Sequence, residues 1–472
     1  MRDSSSAFLS DPTPLLLLGA ATLAWLSLTG DAGAATPWLV TILLLPLIGF
    51  VVWILASRVE VAIWSLMAAA VMSRFYLQIG GLKARPEHIA IGLLCLAAPF
   101  LIHRLPRPSW IWPDALLVGY ITANLFSSLF MSVAPLQTLK WASQQVLVIL
   151  AYFLLRIMAG QRHMFERAVL ILVAVGAVEA GYAIMCFFSN LLFNTDLGVE
   201  IGQYGTFPGT YGTMYEANLL GAFSAASFIL SLTLYFKNKR GVLLFASLLS
   251  YSGLLISLSR AAILASFAVL GLLGVVGLRV KMIQWRTIWA VTGAIAFISL
   301  LLAPAVIPLY IERFSTLEIA DISTDPDTAV RVATVAVAAD DIVDHPILGN
   351  GTSSFQLLVS AREIGFGSDP DQGTWIGNTE MRVIHDTGLV GFLLFSWFLF
   401  SLAARVWKLL REKWNPELLG LSFAGLVYCL TFQTTEGTLL AFSWVHLGLI
   451  ACGISIFQNS ANTEKIVPIG HQ

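Results

Sequence analysis

Apolar runs of about 20 residues follow one another along almost the whole chain, and no other feature constrains the fold as much. A helix needs roughly 20 mostly apolar residues to cross a bilayer. The runs lie at 14–30, 37–56, 61–79, 88–102, 111–131, 138–158, 166–188, 216–236, 241–258, 261–278, 287–307, 384–407, 417–434 and 438–457. They predict about 14 (12–14) spanning helices. Only 12% of the 472 residues are charged, about half the share of a soluble domain. The ten-residue alternating segments of a transmembrane barrel are missing. The chain therefore reads as an all-α polytopic membrane protein, one integral membrane domain over 1–472. A net charge of −1 gives no basic field for nucleic acid. Cys95, Cys186, Cys429 and Cys452 lie inside apolar runs without CxxC spacing. They read as packing residues rather than as zinc ligands or disulfides. Leu15 to Leu28 followed by "DAGAAT" has the outline of a secretory signal. The leading "MRDSSSAFLSDP" is as acidic as it is basic, so a retained helix is expected.

Cytoplasmic loops carry the excess of Lys and Arg. Placing "KNKR" (Lys237, Lys239, Arg240) in the cytoplasm and alternating outward puts Arg58, Arg104, Arg162, Arg279, Lys408 and Arg411 there too. Both termini are then expected in the cytoplasm. Gly241 to Leu278 would be about 57 Å long as one helix, at 1.5 Å per residue. That is two crossings, and the hairpin turn between them brings Arg260 to the outer face. Two segments are expected outside: a short loop, 189–215, and a large, partly helical loop, 308–383. A loop as long as the second is uncommon unless it is functional. Its centre, "DTAVRVATVAVAADDIVDHPILGNG", reads as a helix capped by Asp327 or Thr328 and ended by Pro346 and Gly349.

On that outer side lie Arg260, Arg331 and Arg382, each flanked by apolar residues. A guanidinium offers five fixed donors that match phosphate oxygens. Converging arginines at a membrane surface would suit a lipid-linked diphosphate; a single one also suits lipid headgroups. Arg74 is read as lying inside the 61–79 span. There it would be costly and therefore a functional candidate, or else the partner of Glu179. Candidate acids are Glu216, at a helix entry, and Glu380. His345, His385 and His446 are the outer or near-outer histidines, and His385 is the candidate base. Asp340, Asp344 and His345 offer metal-ligand chemistry, but solvated acids at a helix end are the plainer reading. Tyr204, Phe207, Tyr211, Tyr215 and Trp375 have faces that stack on sugars, and interfacial anchoring uses the same residues.

Four stretches together resemble the bacterial O-antigen polymerase and ligase superfamily of membrane glycosyltransferases. "GTYGTMYEANLLGAF" is similar to its G-x-F-x-x-P-N-x-L-A helix entry, with Ala217 in place of the proline and Asn218 kept. "ISLSRAAIL" is similar to its S-x-S-R turn. "RVATVAVAADDIVDHPILGNGTSSF" resembles R…W…A…I…HP-L-x-G-x-G-x-x-x-F. "GNTEMRVIHDTGLVGF" resembles H/D-N-x-Y-L-x-x-L-x-E-x-G-x-x-G. In series they cover about residues 205–395. The resemblance implies a GT-C-like membrane glycosyltransferase on the periplasmic face of the bacterial inner membrane. Its donor would be a glycan on undecaprenyl diphosphate, and it would need no metal, nucleotide sugar or other cofactor. The acceptor would be a second lipid-linked repeat unit in a polymerase, or lipid A core or protein in a ligase. A flippase and a chain-length regulator of the same pathway would be partners. Arg260 and Arg331, with Arg382 and Arg74, would hold the diphosphate, and Tyr211, Tyr215 and Trp375 the sugars. The ligases' proposed basic histidine corresponds here to Gly377. That departure favours the polymerase and leaves Glu380, His385 and Glu216 as candidates for the base. A transporter or flippase of lipid-linked glycans is the alternative from another class; it expects internal repeats and midplane polar residues, which the sequence lacks.

Overall fold

The computed structural model describes residues 48–79, 82–106, 108–201, 208–315, 326–358, 376–412 and 414–466. The predicted 14–30 span lies outside them. Among the described residues eight helices are long and apolar enough to cross a bilayer, or nine if the bent pair Ile48–Ser57 and Val59–Val71 is one span. The shorter helices Gly241–Ile256 and Pro416–Thr431 and the helix Trp112–Phe130 fall on further predicted spans. The chain is an all-α polytopic membrane protein. Helices suit this setting because their backbone groups are satisfied internally where no water is available.

One helix organises the bundle. Ala217–Asn238 has 94% of its apolar window buried, whereas Trp285–Ile311 has 11% and lies at the periphery. The central helix packs against Gly241–Ile256, Arg260–Arg279 and Pro416–Thr431. At its first turns Gly221 comes so close to the turn 257–259 that a Cβ would lie 2.6 Å from Ser259 Cβ. Small residues let membrane helices approach in this way. The predicted break is present: one helix ends at Ile256, and Ser259 caps the next by accepting from the Ala262 amide. Arg260 is therefore the first residue of a helix.

The ends of the elements depart from the hydropathy reading. The 61–79 span stops at Val71, and Leu77–Ile79 pairs antiparallel with Leu82–Ala84. Arg74 is thus not inside a span. It lies in the turn beyond the helix, so the full cost of an intramembrane charge does not arise. Within 189–215 a second hairpin joins Val199–Ile201 to Pro208–Thr210. The large outer segment is narrower than predicted, because its flanking helices run to Ser315 and start at Thr379. Its internal helix, Pro326–Ile342, begins with a proline at the position where one fits best. Asp327 and Thr328 lie in its first turn rather than before it.

At one end of the bundle a buried ion pair joins three helices. Arg156 is 3.1 Å from Asp114, Tyr152 donates to the same carboxylate at 2.7 Å, and Arg156 also donates to the Ala451 carbonyl. Polar side chains of a different kind gather at the other end.

Candidate active site

The Thr379–Glu412 helix is broken at Gly388, where φ is +63° and ψ is −168°. A break leaves backbone donors and acceptors without helical partners. The segment "HPILGNG" supplies them. Leu389 and Val390 donate to the carbonyls of Pro346 and Ile347 at 2.9 and 3.1 Å, while Asn350 and Gly351 donate to those of His385 and Asp386 at 2.8 and 3.0 Å. The two backbones touch. A Cβ on Gly349 would lie 2.5 Å from the Gly388 nitrogen, and one on Gly388 would lie 2.3 Å from the Ile347 carbonyl carbon. Two motifs distant in sequence therefore form one junction, and the side chains around it are fixed by it.

Arg382 and His385 occupy the turn before the break. Arg382 is buried, and each of its nitrogens is engaged. Nη1 lies 2.7 Å from Glu436 Oε2, Nε lies 3.3 Å from Asp386 Oδ2, and Nη2 donates to Ser353 Oγ at 2.7 Å. His385 has no exposed surface. Its Nδ1 lies 3.1 Å from Asp386 Oδ1 and its Nε2 lies 3.2 Å from Asp341 Oδ2. Phe355 meets the imidazole edge to face. Asp386 also accepts from the Ser353 amide at 3.0 Å. The result is a chain of charge, Glu436–Arg382–Asp386–His385–Asp341, that runs from the loop 432–440 to the helix Pro326–Ile342. Beside it Ser353, Phe355, Gln356, Ile376, Arg382 and Asp386 line a small pocket.

A buried polar relay continues from Glu436. Glu436 accepts from Thr438, Gln145 donates to Thr438 at 3.4 Å, and Asn124 donates to Gln145 at 2.7 Å. Asn124 accepts from Thr352, which bonds Ser128 at 2.9 Å. Unsatisfied buried polar groups cost about 1–3 kcal/mol each, so this continuity fixes the junction against two further helices.

The loop "FQTTEGTLL", 432–440, is the hub. Gln433 donates to Glu380 at 2.5 Å, Asn378 donates to the Gln433 carbonyl at 2.9 Å, Thr435 donates to Glu216, and Glu436 pairs with Arg382. Glu216, Glu380 and Arg382, chosen separately from the sequence, are thus brought to one loop. His385 joins them through Asp386.

Arg74, Tyr211 and Tyr215 form a second group. The Arg74 guanidinium lies 4.1 Å from the centre of the Tyr211 ring, and its Nη1 donates to the Tyr215 carbonyl at 3.2 Å. Glu179, the acid suggested for it, accepts from the Thr213 amide and hydroxyl at 2.8 and 2.7 Å. Arg260 and Arg331 are half-buried, on the helices Arg260–Arg279 and Pro326–Ile342. Trp375, Tyr204 and Phe207 lie outside the described residues.

Asp340 and Asp344 are exposed, and His345 Nδ1 bonds Asn350 Oδ1 at 2.7 Å. Among the described residues no group of three or more His, Cys, Asp or Glu is placed to hold a metal ion. His446 is buried between helices and bonds the Leu421 carbonyl. The sequence reading missed Asp341, Asp386, Ser353 and Glu436. Asp386 had a readable signal, because it stands four residues after Arg382 on one helix face. Glu436 had none, being a lone acid between two apolar runs.

Residues 245–396 match the family model described as O-antigen ligase. That segment holds Arg260, Arg331, Asp341, the "HPILGNG" loop and the charged turn from Glu380 to Asp386. Glu216 and the loop 432–440 lie outside it. A search of curated proteins gave no match. Three of the four quoted motifs lie inside the matched segment, and over residues 245–396 the chain is similar to the O-antigen ligase family of membrane glycan-processing enzymes.

Proposed function

We propose that this protein is a polysaccharide polymerase. It transfers a glycan from undecaprenyl diphosphate to a hydroxyl of a second lipid-linked repeat unit, and so extends an O-antigen, capsule or exopolysaccharide. The proposed topology is one GT-C-like domain of about 14 spans over 1–472, with 189–215 and 308–383 in the periplasm and both termini in the cytoplasm. A flippase and a chain-length regulator would act beside it.

One observation carries this reading: within the family-matched segment, a charged cluster gathers at one end of the bundle under a helix that carries a half-buried arginine. Breaking a glycosyl–phosphate bond requires stabilisation of the leaving diphosphate. Fixed guanidinium groups at a water-poor site do this well, because charge stabilisation grows as the dielectric falls. Arg260 and Arg331 fit that role. Arg382 serves differently: with Glu436, Asp386 and Ser353 engaged, it frames the site rather than gripping the donor. Arg74, with Tyr211 and Tyr215, is proposed to hold the saccharide, and Trp375 is kept from the sequence as a further sugar-binding candidate. Attack by the acceptor from the side opposite the diphosphate inverts the anomeric centre, as in inverting glycosidases, and needs no metal or other cofactor.

The matched family's description favours the ligase as second reading, and Gly377 at the ligases' histidine position favours the polymerase. Mass spectrometry of glycans from a deletion strain separates them. Single repeat units on the final acceptor support the polymerase. Long polymer left on the lipid diphosphate shows a ligase, and loss of all exported glycan shows a transporter. Arg260→Ala and Arg331→Ala are expected to abolish polymer at unchanged protein abundance. Normal polymer from Arg260→Ala would overturn the diphosphate clamp.

A further inference from the structure

The cluster contains several acids and a histidine, and their surroundings separate them. His385 is sealed, with both ring nitrogens against carboxylates. Asp386 is buried and accepts from Arg382, His385 and the Ser353 amide. Glu436 has one oxygen on Arg382 and the other on Thr438. Glu380 has one oxygen on Gln433, and its other is closed off from solvent. Asp341 is different. Its side chain is 25% exposed. His385 holds Oδ2, and no hydrogen bond reaches Oδ1 among the described residues.

We propose that Asp341 is the general base of the transfer and that His385 is its positioning residue. The inference rests on the glycosyltransferase reading above and names the base that reading lacks. An Nε2–H of His385 donated to Oδ2 fixes the carboxylate and leaves Oδ1 for the incoming proton. Asp386 orients the imidazole through Nδ1, Arg382 orients Asp386, and Glu436 balances Arg382. The arrangement places a partly exposed carboxylate at the edge of a buried cluster, where the incoming hydroxyl is proposed to meet it.

The step balances. The acceptor oxygen bonds to the anomeric carbon while the carbon–oxygen bond to phosphate breaks. The bonding pair leaves with the lipid diphosphate, and the hydroxyl proton passes to Asp341 Oδ1. Arg331 is on the same helix, ten residues earlier, about 15 Å along its axis. That interval leaves room for a sugar residue between a diphosphate at Arg331 and a hydroxyl at Asp341, as displacement with inversion requires. The resemblance sets the ligases' histidine against Gly377, which has no side chain to take a proton.

The test uses full-length protein in detergent, with lipid-diphosphate-linked repeat units from the native host as substrate. Asp341→Asn is expected to lower kcat about 100- to 10,000-fold, the usual contribution of a positioned base, with KM for the donor within threefold. Asp341→Glu is expected to recover part of the rate. His385→Gln, which keeps a donor toward Asp341, is expected to lose less than Asp341→Asn. Thermal melts of each variant report folding. Three outcomes overturn the assignment while leaving the transferase reading in place: Asp341→Asn within threefold of wild-type kcat, a loss confined to KM or melting temperature, or a base-sized loss found in Glu216→Gln instead. A folded wild type that makes no polymer overturns the transferase reading, and the base with it.

Discussion

Arg382 shows how a residue's meaning depends on its neighbours. Flanked by apolar residues, it reads as a phosphate ligand. In the fold one guanidinium faces two carboxylates and a hydroxyl. Removing one partner of a buried pair typically costs about 3–5 kcal/mol, because the remaining charge stays buried and unpaired. Arg382→Met is therefore expected to destabilise by about that much, measured by thermal unfolding in detergent. Adding Glu436→Gln to Arg382→Met should recover part of the loss, since it removes one stranded charge; strict additivity would show that the two residues are not coupled. Arg382→Lys should fare little better than Met. A lysine presents a point charge and cannot fork between three partners.

The Gly388 junction makes a sharper demand, because it involves backbone. An L side chain at φ +63° is strained, and here a Cβ would also overlap the Ile347 carbonyl. Gly388→Ala and Gly349→Ala are expected to reduce the yield of monodisperse protein severely on size-exclusion chromatography. Gly271→Ala is the control. Nothing lies within 4 Å of a Cβ there, and replacing a helical glycine should be neutral or stabilise by about 0.5–1 kcal/mol. Equal damage from all three would mean that the junction is not special. The same contrast explains what the sequence made legible. Predicted spans from 88–102 onward coincide with helices, because the bilayer imposes apolar composition on every residue that crosses it. The helix break before Arg260 followed from length alone. Where lipid stops constraining composition, legibility falls: the 61–79 span ran past Val71, and neither β-hairpin was foreseen. The candidate site was half legible. Arg382, His385, Glu380 and Glu216 stood out as polar residues beside apolar runs. Asp341 and Glu436 did not, because they matter only through partners on other elements.

The whole molecule separates two kinds of polar chemistry by the length of its central helix. Ala217–Asn238 has 22 residues, about 33 Å at 1.5 Å per residue, close to the hydrocarbon thickness. Glu216, just before it, meets Thr435 of the hub loop. Beyond its other end, Lys239 lies on the side of the Lys237–Glu417 pair. The charged cluster and the "KNKR" turn are therefore at opposite ends of this helix, and the lysine and arginine bias predicts a cytoplasmic "KNKR". Single cysteines introduced as Asp344→Cys and Lys239→Cys, in a background without the four native cysteines, test this. An impermeant maleimide added to spheroplasts should label the variant at 344 and not the one at 239. Rupturing the membrane should make both reactive. The reverse pattern would place the cluster in the cytoplasm. A glycan already moved to the outer leaflet could not then be its substrate, and the periplasmic polymerase would have to be abandoned even if the Asp341 chemistry survived.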